Sequence, residues 1–108
     1  MKGKIVLIYF PFTDLVRRKL RPALVLYEEK EDVVVAFISS RVEKYNSETD
    51  ILVPKTHPEF KATGLKTDSI IKLTKIATLH KGLIAGVIGE IGEEIKKEVR
   101  KKLGEIYE

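Results

Sequence analysis

Ile91, Ile95, Val99, Leu103 and Ile106 recur at spacings of four, four, four and three residues, the period of one α-helical face. The opposite face is Glu, Lys and Arg, with Glu93–Lys97 and Glu98–Lys102 at i,i+4 in the favourable order. This is the only convincing helical stripe, and it comes last. It needs an apolar partner, which the residues before it must supply in another form.

They supply it as short strands. Residues 4–10 are aliphatic, aromatic or β-branched and end before Pro11, which cannot donate to a ladder. A loop over 12–20 follows, then a strand over 22–27, a charged turn over 28–32 and a strand over 33–38, which predicts an antiparallel hairpin. Residues 39–49 read as a polar loop, 50–53 as a short strand closed by Pro54, and 56–65 as a surface connection with one helical turn near Glu59. Three further short strands are predicted at 69–73, 75–79 and 84–88, with Gly82, Gly86 and Gly89 at tight bends. The expected architecture is mainly β: a small antiparallel barrel with a C-terminal helix packed on it, in one domain spanning 1–108.

Composition bounds what such a domain does. A chain of 108 residues buries roughly 65% of its unfolded surface, enough for one core. The absence of cysteine excludes disulfides, thiolate metal sites and a cysteine nucleophile. Two histidines, His57 and His80, are too few for a histidine-rich metal site, and each reads as an exposed turn residue. No apolar stretch approaches the ~20 residues of a membrane helix, and residues 1–4 lead straight into a strand with no leader, so a cytoplasmic location is expected. Cysteine and glutamine are absent while Lys and Glu abound, which suggests a thermophilic source.

The net charge of +4 is unevenly placed: from Glu90 onward six acids face five bases, whereas between Asp14 and Arg21 four bases meet one acid. A local excess of this kind attracts polyanions. Salt-bridged surface loops in Lys-rich proteins have the same composition, so charge alone does not decide.

Three groups are candidates for chemistry. Arg21 precedes Pro22, which holds its predecessor extended, and its planar fork matches two phosphate oxygens. From spacing alone a surface ion pair is an equally good reading. Ser39 and Ser40 follow an apolar run, where a hydroxyl reaches a ligand but more often satisfies turn backbone. Lys72 and Thr74 share one face of a strand, which any solvent-facing strand also offers.

Together these stretches resemble a specific family. KGKIVLIYFPFTD, a basic loop, RPALVL, VVVAFISSRV, DILVP and TGLKTDSIIKLTKIATLHKGLI, followed by GVIGEI and the terminal helix, are similar in order to the PemK/MazF toxin endoribonucleases. The resemblance implies an SH3-like barrel, a homodimer, and an acidic antitoxin partner whose tail occupies the basic groove. It further implies cleavage of single-stranded RNA without metal or other cofactor, leaving a cyclic phosphate and a 5′-hydroxyl. The family's key arginine before proline corresponds to Arg21, and its key hydroxyl to Ser39, as catalytic residues. Phe12, Thr13, Arg17, Arg18, Lys19, Lys72 and Thr74 are then expected to contact RNA, with Phe12 stacking on a base. Some members carry an aspartate as base where this chain has Thr74, so the general base is unassigned. Two alternatives follow: a barrel that binds RNA or protein without cutting, and a gyrase-poisoning toxin on a related fold.

Overall fold

In the computed structural model the described residues are 1–10 and 19–108. Phe12, Thr13, Arg17 and Arg18 of the expected RNA-contacting loop therefore lie outside the described residues. Six strands form one antiparallel sheet: β1 Lys4–Phe10, β2 Lys19–Glu28, β3 Asp32–Ser39, β4 Asp50–Val53, β5 Ser69–His80 and β6 Ile84–Glu90. Their order is β4-β5-β3-β2-β1-β6. A single helical turn, α1 Phe60–Thr63, precedes β5, and helix α2 Glu93–Ile106 closes the fold.

Two sequence expectations are corrected. The 69–73 and 75–79 segments fall in one twelve-residue strand, which pairs with β4 through Ser69–Lys72 and with β3 through Ile70–Ile71 and Ile76–His80. A shift in its register with β3, between Ala36 and Ile38, takes up the irregularity that the polar residues signalled. The sheet is also not closed: β4 and β6 are opposite edges and are not paired with each other, so backbone pairing does not form the expected barrel.

Both faces of the sheet carry apolar clusters. On one, Ile5, Leu24, Ala36, Ile38, Ile51, Ile71 and Leu73 pack with Ile91, Ile95 and Val99, so the helical stripe is buried as its period requires. On the other lie Val6, Ile8, Ala23, Val25, Val33 and Val35. Strands buried on both sides explain the unbroken apolar runs of β1 to β3. The exposed face of α2 is wired differently from expectation. Lys96 rather than Lys97 reaches Glu93, at 3.4 Å, and Lys102 donates to the Ser47 carbonyl at 2.5 Å. The Tyr107 hydroxyl donates to the Leu73 carbonyl at 2.6 Å and ties the helix end to β5.

The start of α2 is capped from a distance. Gly92 offers no side chain, and Glu59 accepts from the Glu94 N–H at 2.9 Å and the Ile95 N–H at 3.0 Å. A Cβ at residue 92 would lie 2.3 Å from the Glu59 Cδ, so glycine leaves room for the cap. Burial raises the Glu59 pKa, but the two N–H donors outweigh it and hold the carboxyl below its ordinary value. The cap's contribution is therefore present above the ordinary carboxylate pKa and fades as pH falls through the lowered one. Glu59→Ala should cost about 1 kcal/mol at neutral pH, with the difference from wild type narrowing in acid. Urea denaturation at pH 7 and pH 3 measures both, and equal differences at the two values would refute the capping account.

Candidate functional site

Pro22 fixes the backbone inside β2, which begins at Lys19 and not at the expected residue 22; Pro22 pairs with Leu7 on β1, and Arg21 with Ile8. On its other side β2 pairs with β3 through Ala23↔Phe37, Leu24↔Ala36 and Val25↔Val35. Continuing that register by two residues sets Arg21 opposite Ser39. Ser39 in turn pairs with Ile70 at the start of β5. Three adjacent strands thus bring Arg21, Ser39 and the α1–β5 connection to one end of the sheet.

That end holds a pocket of about 310 Å³. Leu7, Pro22, Ile38, Leu65 and Ile88 give it an apolar base, and Arg21, Ser39, Ser40, Arg41, Lys66 and Thr67 give it a polar wall. Of the described residues, three cations line it and no carboxylate does. Among the described residues, no ion pair engages Arg21 or Lys66. Arg41 uses its Nε on Glu43 at 3.1 Å. That contact, after the Glu43 backbone N–H, helps hold the Glu43 carboxyl below its usual range. An apolar base under cations, two of which have no described ion pair, suits an anion attached to a flat or apolar body.

Ser39 serves the turn as the bland reading anticipated, its Oγ accepting from the Arg41 N–H at 3.1 Å. A hydroxyl that accepts one bond keeps its own proton to donate. The opposite wall is firmly held. Thr63 Oγ1 donates to the Phe60 carbonyl at 2.5 Å and accepts from the Leu65 N–H at 3.1 Å. Asp68 accepts from the Lys55 N–H at 2.7 Å, and Ser69 donates to the Thr67 carbonyl at 2.8 Å.

The other expected contacts lie elsewhere. Lys72 is not on the pocket wall; it pairs at 3.3 Å with Asp50, whose side chain is fully buried. Asp50 also accepts from the Asn46 N–H at 3.0 Å and the Thr49 hydroxyl at 3.3 Å, so Lys72 completes a structural network. Thr74 is exposed in the irregular part of β5, and Lys19 is exposed at the start of β2; neither lines the pocket. His80 is exposed as expected but ends β5 instead of lying in a turn, its Nδ1 accepting from the Gly82 N–H at 2.9 Å. His57 is half-buried instead and accepts from the Glu59 N–H at 3.0 Å. His57, Glu59 and Glu94 offer ligand atoms within 4.8 Å of one another. Both Glu59 oxygens already serve the α2 N-terminus, whose dipole disfavours a cation.

Sequence reasoning missed Arg41, Lys66 and Thr67 as wall residues. The signal was the turn chemistry of 63–68, with Gly64 and Asp68 bracketing Lys66 just before a strand.

The profile of the family described as PemK-like, MazF-like toxin of type II toxin-antitoxin system matches residues 1–107. Among curated proteins no significant match is found. Similar solved structures include MazE-MazF from Deinococcus radiodurans, at TM-score 0.74 and 20% identity over 97% of this chain and 92% of that one. The Mycobacterium tuberculosis toxin MazF-mt6 aligns at TM-score 0.71 and 20% identity over 94% and 92%. A mycobacterial endoribonuclease in complex with its cognate antitoxin aligns at 0.69 and 16% over 96% and 90%. At these identities the structural likeness speaks for the fold alone.

Proposed function

This chain belongs to the PemK-like, MazF-like toxin family of type II toxin–antitoxin systems, and on that premise we propose that it cleaves single-stranded RNA in the pocket lined by Arg21 and Ser39. The observation that carries the reading is the pocket's composition: among the described residues it has three cations, three serines and a threonine, and no acid. A phosphodiester fits such a wall and a cationic or neutral substrate does not.

In this reading the 2′-oxygen attacks the adjacent phosphorus and the P–O5′ bond breaks, giving a 2′,3′-cyclic phosphate and a 5′-hydroxyl. The 2′-hydroxyl proton passes to solvent, and the departing O5′ gains one. Arg21 meets the charge that builds on the phosphoryl oxygens, the electrostatic contribution that dominates many enzymes. Its high pKa makes it a hydrogen-bond donor to that charge rather than a proton source. Ser39, with its acceptor side committed to the Arg41 N–H, donates its hydroxyl proton to a phosphoryl oxygen and fixes the phosphate.

An acidic antitoxin and a second copy of the chain are the proposed partners. Two of the similar structures, one titled MazE-MazF and one an endoribonuclease with its cognate antitoxin, support the first. The test is incubation of the purified protein with single-stranded RNA in excess chelator. Cyclic-phosphate and 5′-hydroxyl ends are expected; intact RNA would sink the catalytic reading.

A second reading, RNA binding without cleavage, is favoured by the same turn bond at Ser39 and by the lack, among the described residues, of a carboxylate in the pocket to act as base. Salt-sensitive binding with no cut ends would establish it.

A further inference from the structure

The three cations of the pocket do not stand together. Ser39 lies on the central strand of three, with Arg21 on β2 to one side. Lys66 enters from the connection that leads into β5, on the other side, and Arg41 stands just past the end of β3. The flanking strands β2 and β5 are two inter-strand spacings apart, roughly 10 Å. A single phosphate does not span that width.

We infer that Arg41 and Lys66 form a second phosphate subsite, next to the one that Arg21 and Ser39 define, so that the pocket grips an internal stretch of strand at two consecutive phosphates. The inference rests on the reading of the pocket as an RNA site. Neither residue was needed for the chemistry, and each is built to hold rather than to react.

Their placement is rigid. The Arg41 backbone is fixed by its N–H bond to Ser39 and by the Lys44 N–H bond to its carbonyl at 3.0 Å. Its Nε is turned to Glu43, which orients the guanidinium. Lys66 sits between Thr63, Asp68 and Ser69, each making the backbone bonds given above, and Gly64 beside it holds a left-handed φ of +74°. Cations on braced turns lose less freedom when they bind than cations on loose loops. Thr67, adjacent on the same wall, adds a hydroxyl to the subsite.

Phosphate contacts of this kind are blind to base identity and sensitive to salt. The experiment measures binding of a fully 2′-O-methylated RNA dodecamer, which carries no attacking hydroxyl, across a salt series. Wild type, Arg41→Gln, Lys66→Gln and the double variant are compared, with Lys66→Arg as the charge-preserving control. Each single loss should flatten the slope of log affinity against log salt by about 0.7, and the double loss by about 1.4. The change should be the same for dodecamers of different sequence, and Lys66→Arg should restore the slope. Both side chains are on the surface and their backbone bonds survive, so thermal melts should coincide with wild type.

Wild-type slopes in both single variants would overturn the inference while leaving the RNA reading intact. A loss confined to one base sequence would also overturn it, because it would make these residues base readers. Failure of the wild type itself to bind would remove the RNA reading, and this subsite with it.

Discussion

Arg21→Gln is expected to lower single-turnover cleavage of RNA at saturating protein by roughly 10²–10³-fold, the usual cost of removing one preorganised charge-stabilising donor. Arg21 is exposed and pairs with no described acid, so its loss should leave the melting temperature within about 2 °C of wild type. Arg21→Lys keeps the charge but loses the planar fork, and should recover only part of the rate. Ser39→Ala should be milder. It removes one neutral donor to the phosphate, and the bond it also removes, to the Arg41 N–H, is exposed and replaceable by water. Cleavage by Arg21→Gln at the wild-type rate would take the chemistry away from this pocket. A proportionate loss in melting temperature would mean the residue had been structural.

The contrast between Arg21 and Lys72 shows what could be read from the sequence. Arg21 was legible because Pro22 fixes its backbone and the hairpin register is local, so its approach to Ser39 follows from two short strands and a turn. Lys72 was expected at RNA only from resemblance, and its pairing with Asp50 was not legible because that partner is twenty-two residues away on an edge strand and burial of its carboxylate is a tertiary event. The strand positions were legible from β-branched runs, and α2 from its stripe. Continuity of β5 was not, since its polar centre is a gap in the ladders as well: pairing with β4 ends at Lys72 and pairing with β3 resumes at Ile76, yet one strand spans both. Closure of the sheet was inferred from the short strands and their glycines and again from resemblance, and pairing among the described strands does not supply it. Arg41 and Lys66 were invisible as a pair because only the meeting of the β3 end with the β5 start brings them to one wall.

That wall makes Gly64 the position where a single methyl group should do most harm to the fold. With φ of +74°, a Cβ there would sit 2.1 Å from the Ile88 carbonyl oxygen and 2.7 Å from its carbon. Left-handed backbone costs an L-residue roughly 1–2 kcal/mol, and forcing a methyl into packed surroundings adds about 1–3 kcal/mol. Gly64→Ala should therefore lose roughly 2–5 kcal/mol, or about 10–30 °C in melting temperature. No rotamer relieves the clash, because the obstacle is backbone. The strain has one outlet, displacement of β6, and that way is guarded: Gly89 lies so close to α1 that its own Cβ would be 2.3 Å from the Thr63 carbonyl carbon. Ile88 and Leu65 both line the pocket, so the surviving folded fraction should also bind RNA more weakly. Gly104→Ala is the internal comparison, an exposed helical glycine with nothing within 4 Å of its Cβ position, and should gain about 1 kcal/mol instead. Thermal melts of the three proteins side by side decide it. A Gly64→Ala melt within 2 °C of wild type would show that the junction of α1 and β6 yields, and that Lys66 does not stand on a rigid wall.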